Sequence, residues 1–173
     1  MEKNKSASHK KKICYMDWGN ISGMCFKLNQ FIDLAKLKKL IEDNFGSEEI
    51  KMFGSVHDRN RNFYELAHRK YGYNVITKEA VYDKQAKLFK SNMDGRMYVE
   101  MVNDLSNTSE VVLMTGDGDF VDICKSNAIS KRLVSIITPS LKYTSLLLIK
   151  EFKDKLFVLE PLLKSLARTK VVS

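Results

Sequence analysis

Two patterns of apolar residues alternate along the chain. In the first, short runs of β-branched and other large apolar residues predict buried strands; in the second, apolar residues recur every three or four positions and predict amphipathic helices. The predicted strands are 13–17, 50–56, 73–82, 111–115, 133–138 and a short sixth, 156–159. The predicted helices are 31–45, 60–71, 93–105, 120–129, 140–152 and a final one after residue 160.

Regular alternation of strands and helices is typical of an α/β domain in which helices cover both faces of a mostly parallel sheet. We expect the strand order 3-2-1-4-5, which makes the first and fourth strands neighbours where the winding of the sheet reverses. Sheets of this kind bind their ligands at that point, outside the carboxyl ends of the strands. The search for functional residues therefore begins at the ends of these two strands.

Acids stand at the carboxyl ends of both strands. Asp17 ends the first strand, and Asp117 and Asp119 follow the fourth strand in a glycine-rich turn. Carboxylate oxygens suit hard divalent cations, so the two strand ends together predict a metal site. Each acid could instead cap a helix or stabilise a turn by accepting backbone hydrogen bonds.

A further acid, Asp94, lies on the apolar face of the predicted helix 93–105. At about 100° per residue the apolar stripe covers about half of the helix surface, and Asp94 falls inside it. A buried carboxylate costs free energy unless it is paired or metal-bound, which favours a place for Asp94 in the same site. Helix capping is the alternative, because the helix dipole favours an acid in the first turn. Glu100 and Asp104 lie at the margin of the stripe and are supporting candidates only.

The charge of the chain is concentrated at its ends. The 173 residues, 44% of them apolar, suit one domain with a proper core, and the net charge is +8. Residues 1–12 carry +4 and residues 161–173 carry +3, which leaves +1 for the body. We expect a basic flexible arm at 1–12, a domain at 13–160, and a helix with a basic tail at 161–173. Basic ends suit a polyanion, although they also serve simply to solubilise a protein.

Within the body, one basic segment combines cationic and aromatic residues, a mixture that can hold a nucleic-acid backbone and stack a base. The alternative is the solvated surface of an amphipathic helix. On the first interpretation, the nucleic-acid-binding residues are Lys84, Lys87, Lys90 and Arg96.

Several other classes of protein are disfavoured. No apolar run exceeds four residues, far short of a membrane span, and no apolar core of a secretory signal follows the lysine-rich amino end. Cys14, Cys25 and Cys124 are too widely spaced for a local metal knuckle, and their odd number argues against a disulfide framework. We expect a cytoplasmic protein in a reducing compartment, with no membrane partner; a homo-oligomer stays open.

Taken together, these features resemble the NYN domain, the LabA-like branch of the PIN-type nucleases. The resemblance covers about residues 13–160. It rests on Asp17 with Asn20, a lysine-rich segment leading into Met93-Asp94, the turn Gly116-Asp117-Gly118-Asp119-Phe120, and Leu156-Phe157-Val158 after a late helix. Two positions differ from the family pattern: Trp18 stands where a glycine is usual, and Lys90 lies one residue further from Asp94.

The resemblance implies a three-layer α/β/α, PIN-like domain that binds Mg²⁺ or Mn²⁺ and hydrolyses RNA. It implies catalytic and metal-binding roles for four acids, with Asn20 in support: Asp17, Asp94, Asp117 and Asp119. The chemistry is consistent with this, because crowded carboxylates repel one another until a divalent cation neutralises them, and the cation can then orient a water for attack on a phosphodiester. We therefore expect a metal-dependent ribonuclease that acts on single-stranded RNA.

Two other classes of function stay open. The first is an RNA-binding or adaptor domain of the same fold that cleaves weakly or not at all. The second is a phosphohydrolase with Asp17 as nucleophile, which is less favoured because that chemistry usually needs a second acid two residues later, where this chain has Gly19.

Overall fold

The structure of the protein is a computed structural model that describes residues 10–85 and 88–168. Its strands are β1 Lys11–Asp17, β2 Glu49–Val56, β3 Asn74–Glu79, β4 Val81–Asp83, β5 Leu88–Lys90, β6 Thr108–Met114, β7 Leu133–Thr138 and β8 Leu156–Val158. Its helices are α1 Trp18–Lys27, α2 Leu34–Phe45, α3 Arg61–Arg69, α4 Asp94–Asn103, α5 Val121–Lys125, α6 Asn127–Ser130, α7 Leu146–Phe152 and α8 Leu163–Leu166. No helix in the described part of the chain is long and apolar enough to cross a membrane.

Six strands form one sheet in the order β3-β2-β1-β6-β7-β8, and every neighbouring pair is parallel. This confirms the expected order, since β6 and β7 are the predicted fourth and fifth strands, and β8 adds the predicted sixth strand at the edge. In the register of the two central strands, Met16 of β1 lies opposite Met114 of β6. The carboxyl ends of β1 and β6 are therefore level with each other.

Two apolar cores, one on each face of the sheet, confirm the layered α/β architecture. Alternate residues of a strand point to opposite faces, and in β1 Cys14 and Met16 join one core while Ile13 and Tyr15 join the other. Helices α1, α2, α3 and α8 pack on the first face, and α4, α5, α6 and α7 pack on the second. Gly46, at φ 64°, ends α2 in the left-handed conformation that glycine adopts without strain, as its position in the sequence indicates.

Helix α1 is absent from the sequence-based prediction. It contains Gly19, Asn20 and Gly23, which have low helix propensity, and so the segment lacks a helical signature of its own. Packing supplies the stability instead, because Ile21, Met24 and Cys25 are buried, Ile21 and Cys25 in the first core.

The prediction of one long third strand at 73–82 is also wrong. β3 ends at Glu79, and the chain turns so that β4 pairs antiparallel with β5, in a segment for which the sequence indicates a lysine-rich loop. The pattern of apolar residues alone does not distinguish one long strand from two consecutive strands that pair with different neighbours.

Two predicted helices are interrupted. The helix expected at 120–129 divides at Ser126, which has extended backbone angles and whose Oγ accepts a hydrogen bond from Ile129 N at 3.4 Å, so that Ser126 caps α6. The helix expected at 140–152 begins as a short 3₁₀ turn, and Thr144 is extended before α7 starts. In both cases a serine or threonine near the break offers local hydrogen bonds that compete with a continuous helix.

All three cysteines are buried and unbridged, as expected from their number and spacing. Burial raises the pKa of Cys25 to about 11 and that of Cys124 to about 12, and it also raises the pKa of Cys14. These thiols stay protonated near neutral pH and serve as packing groups.

Candidate metal centre

The loop after β6 holds two of the acids. Asp117 is half-buried and its Oδ1 accepts a hydrogen bond from Asp119 N at 3.0 Å, which closes a short 3₁₀ turn over Gly118–Phe120. The turn is anchored by Phe120, which is fully buried in the second core. Asp117 therefore does stabilise the turn, and the same turn fixes the position of both carboxylates relative to the end of β6.

This loop is tied to the elements on both sides. Gly116 N donates a hydrogen bond to Asn20 Oδ1 at 2.8 Å, and Ser145 N donates to Gly116 O at 2.8 Å. Asn20 thus connects the amino-terminal turn of α1 to the acidic loop, about a hundred residues later in the sequence. This hydrogen bond holds the acidic loop against α1, and a supporting role of Asn20 in the chemistry stays a prediction.

Asp94 is the first residue of α4 and is half-buried. Asn92 Oδ1 accepts a hydrogen bond from Asp94 N at 3.1 Å, so a neighbouring side chain satisfies the backbone at this helix end. Burial raises the pKa of Asp94, and the charges of Asp117 and Asp119 raise it further.

Asp94, Asp117 and Asp119 each offer a carboxylate oxygen within 4.8 Å of the other two. Oxygens bound about 2.1 Å from Mg²⁺ lie about 3 to 4.2 Å apart around an octahedron, so small side-chain adjustments would bring these three atoms to ligand spacing. The chemistry of the donors fits as well, since all of them are hard oxygens. These three carboxylates could therefore hold a divalent cation.

Asp17 lies beside this cluster and is only 8% exposed. Its Oδ1 accepts a hydrogen bond from Asn20 N at 3.1 Å and its Oδ2 accepts one from Thr115 Oγ1 at 3.3 Å. Burial raises the pKa of Asp17 to about 6; the hydrogen bonds from Asn20 and Thr115 oppose this, and the charges of Asp94 and Asp117 add to it. Asp17 caps α1 and faces the other acids at the same time.

Thr115 and Tyr98 are part of the site, and the sequence analysis did not single them out. Thr115 Oγ1, which donates to Asp17, also accepts a hydrogen bond from Asp117 N at 3.2 Å, so one hydroxyl links the acids of the two central strands. Tyr98 OH donates to Asp119 O at 2.6 Å. Burial, followed by the charges of Asp94 and Asp119, raises the pKa of Tyr98 to about 12. Two features of the sequence could have identified them: Thr115 places a hydroxyl at the end of a predicted strand, and Tyr98 lies one helical turn after Asp94.

Glu100 and Asp104 belong to another cluster. Lys51, which is 7% exposed, donates to Asp104 Oδ2 at 2.7 Å and to Glu100 Oε2 at 3.2 Å, and Tyr15 OH donates to Asp104 Oδ2 at 2.8 Å. Asp104 follows the far end of α4, about 15 Å along the helix axis from Asp94. These two acids neutralise a buried lysine and do not extend the metal centre.

The predicted basic surface is described only in part. Lys84 is exposed in the turn after β4, whereas Arg96 Nη2 is paired with Glu100 Oε1 at 2.8 Å. Lys87 and the side chain of Lys90 lie outside the described residues. Their role in binding nucleic acid stays a prediction.

The amino-terminal basic segment runs into the sheet, because β1 begins at Lys11. Lys11 pairs with Glu49 at 3.2 Å and Lys12 pairs with Glu110 at 2.7 Å. These two lysines therefore have partners within the fold. Residues 1–9 lie outside the described part of the chain.

An all-parallel α/β sheet with an acidic centre at the carboxyl ends of its two central strands defines the class of this protein. The model of the NYN domain matches residues 13–157, and the chain belongs to this family, which is a PIN-like nuclease family. In the comparison with solved structures, the chain is similar to VPA0982 of Vibrio parahaemolyticus, described as a protein of unknown function. The two share 19% identity over 92% of this chain and 97% of the other, with a TM-score of 0.68, which shows the fold. No curated protein matches the chain.

Proposed function

We propose that this protein is a ribonuclease that depends on Mg²⁺ or Mn²⁺ and hydrolyses phosphodiester bonds of single-stranded RNA. The observation that carries the proposal is the convergence of Asp94, Asp117 and Asp119 within 4.8 Å of one another, in a domain of a nuclease family. Carboxylates this close repel one another when they are ionised, and a bound divalent cation would relieve that repulsion.

In this proposal Asp94, Asp117 and Asp119 hold the cation. A bound divalent cation would supply charge stabilisation at the phosphorus oxygens and a more acidic water. The loop that carries two of these acids is fixed by Asn20 and Ser145, so the ligands are preorganised before the cation binds.

Asp17 acts through water in the same proposal. Its two oxygens are fixed by donors from Asn20 and Thr115, and each oxygen keeps a further lone pair for a water molecule. With a pKa near 6 it is ionised at neutral pH and can take up the proton that the attacking water loses. Asp17, Asp94, Asp117 and Asp119 then act together as the catalytic set.

The test compares cleavage of an unstructured, end-labelled RNA in Mg²⁺, in Mn²⁺ and in EDTA. We expect cleavage with either metal and none in EDTA. Asp117→Asn keeps the side-chain oxygen that accepts from Asp119 N but removes the charge, so it should stay folded and lose activity on the order of 100-fold or more.

The matched control is Asp154→Asn, which removes an exposed carboxylate. Asp154 precedes β8 and so lies at the amino ends of the parallel strands, whereas the acids lie at the carboxyl ends. Its activity should equal that of the wild type. Equal activity of Asp117→Asn and the control would refute the assignment of the site. Tight RNA binding by a wild-type protein that never cleaves would identify an RNA-binding or adaptor domain instead.

A further inference from the structure

An open cavity of about 620 Å³ lies beside the acidic centre, between α1 on one side and the end of β2 with α3 on the other. Its volume is in the range of sites that bind small molecules or parts of larger ones. Aromatic rings dominate its wall, and one cationic side chain lies among them. The residues that matter here are Trp18, Phe26, Phe31, Phe63, Tyr64 and Arg168.

The cavity borders the start of α1, directly after Asp17. Trp18, in its wall, follows Asp17 directly in the chain, and a Cβ placed on Gly19, also in the wall, would lie 3.6 Å from Asp17 Oδ1. The charge of Asp17 adds to the effect of burial in raising the pKa of Tyr64, on the far wall, to about 12. A molecule in the cavity therefore lies close to Asp17, the acid that ends β1.

The shape of α1 explains the aromatic wall. Trp18, Ser22 and Phe26 are spaced by four residues, so they lie on one face of the helix, and this face borders the cavity. The indole of Trp18 stacks on Phe63, with ring centres 5.2 Å apart and 18° between the planes. The wall thus begins with a rigid, flat pair of rings at the side of Asp17.

Two further rings at the cavity are exposed. Phe26 is 72% exposed and Phe31 is 63% exposed, which leaves large aromatic surfaces in contact with water. Packing within the described chain does not account for either ring. Exposed aromatic faces beside a phosphate-processing centre are the usual platform for bases of single-stranded nucleic acid.

A cationic residue is held at the same place. Arg168 N donates to Phe31 O at 2.9 Å, and the adjacent residues Ile32 and Ala167 form a β-bridge. The guanidinium group suits a phosphate of a bound strand. An apolar protein segment has no negative charge to pair with the guanidinium group, whereas a nucleotide has a base that can stack on the rings and a phosphate that can pair with the charge.

We propose that this cavity binds one unpaired base of an RNA strand by stacking on the aromatic wall, with Phe26 and Phe31 as the exposed platform and Arg168 on a neighbouring phosphate. The proposal rests on the proposed function, which places the scissile phosphate at the acids. It also gives a reason for single-strand preference, since a base held in a duplex is already stacked and paired and cannot enter.

Trp18 makes the proposal directly measurable, because it is the single tryptophan of the chain. A base that stacks in the cavity should quench its fluorescence. The probe is a short oligouridylate in Ca²⁺, compared with the same strand paired to oligoadenylate. We expect saturable quenching by the single strand and little by the duplex, and we expect the control Asp154→Asn to show the same quenching as the wild type.

Phe26→Ala and Phe31→Ala should each weaken binding of the single strand by about fivefold or more, the lower range for loss of one base-stacking ring. Because both side chains are exposed, neither change should affect folding. Phe31→Tyr should retain the affinity while Phe31→Leu loses it, since leucine is apolar but has no flat face. The matched control is Val134→Ala, which should bind as the wild type does. Val134 is an exposed apolar residue near the amino end of β7, whereas the cavity lies at the carboxyl end of β2.

Equal affinity of the wild type, Phe26→Ala and Phe31→Ala would overturn the proposal, and so would equal quenching by single strand and duplex. Failure of the proposed nuclease function looks different. In that case the wild type would not cleave in Mn²⁺, yet oligouridylate would still quench Trp18 and the phenylalanine variants would still bind weakly.

Discussion

The acidity of Asp17 gives a quantitative prediction for the metal-free protein. Burial raises its pKa from 3.8 to about 6, so the folded state binds a proton more tightly than the unfolded chain does. The stability that this proton contributes is fully present below about pH 4 and is lost as the pH rises through 6. Its full value corresponds to about 3 kcal/mol, of which about 1 kcal/mol is gained between pH 8 and pH 5.

Asp17→Asn removes the titration and keeps an oxygen that can accept from Asn20 N. We would measure urea unfolding in EDTA at pH 8, 7, 6 and 5 for the wild type, for Asp17→Asn and for the control Asp154→Asn. Relative to Asp17→Asn, the wild type should gain about 1 kcal/mol of stability from pH 8 to pH 5. The control should follow the wild type at every pH.

Parallel curves for the wild type and Asp17→Asn would refute the reasoning, because they would mean that the carboxylate is as well solvated in the folded protein as in the unfolded chain. A slope of the opposite sign would show that the donors from Thr115 and Asn20 outweigh burial. Mn²⁺ should reverse the dependence on pH, since metal and protons compete for the same carboxylates: the stabilisation by Mn²⁺ should be larger at pH 8 than at pH 5.

Three other predictions concern the second acid, a buried ion pair and the amino terminus. Asp94→Asn should leave the metal-free protein as stable as the wild type or more so, because burial and the neighbouring acids disfavour the charge of Asp94, and it should reduce the rise in melting temperature that Mn²⁺ causes. A less stable metal-free protein with unchanged metal binding would assign Asp94 to helix capping. Lys51→Met should cost about 3 kcal/mol in urea unfolding, because the half-buried Asp104 and Glu100 lose the cation between them. Adding Asp104→Asn should recover part of that cost; a cost that the second change leaves untouched would contradict the pairing. Deleting residues 2–9 removes two lysines, so the magnitude of the slope of log affinity against log salt, measured with RNA in Ca²⁺, should fall by up to about 1.4. Cleavage at saturating RNA should not change, and an equal slope would show that these residues only solubilise the chain.

The sequence by itself determined the class of the fold and the edge of the sheet at which the acids of the candidate site meet. Apolar runs report which segments are buried, and their alternation with amphipathic helices allows few arrangements other than a parallel sheet covered on both faces. The rules for connecting parallel strands then made β1 and β6 neighbours. The convergence of Asp17 with Asp117 and Asp119 at one edge followed from that order alone.

Only the tertiary structure decided how the acids differ from one another. Asp94, Asp117 and Asp119 come within reach of one cation, while Asp17 is held by Thr115 and Asn20 beside them. Local patterns cannot show this, because the pKa and position of a carboxylate depend on donors and charges about a hundred residues away in the chain.

The same reason explains the other differences between sequence and structure. Helix α1 forms because its buried face packs on the sheet, in spite of weak helix propensity. Asp104 pairs with the buried Lys51 at the far end of α4 and does not join the candidate metal centre. The aromatic cavity joins rings of α1 and of the segment before α2 with rings of α3, which lies beyond α2 and β2 in the chain. The periodicity of apolar residues indicates whether a side chain is buried. Which residues it contacts depends on the packing of the whole chain, and the charge and position of the acids depend on those contacts.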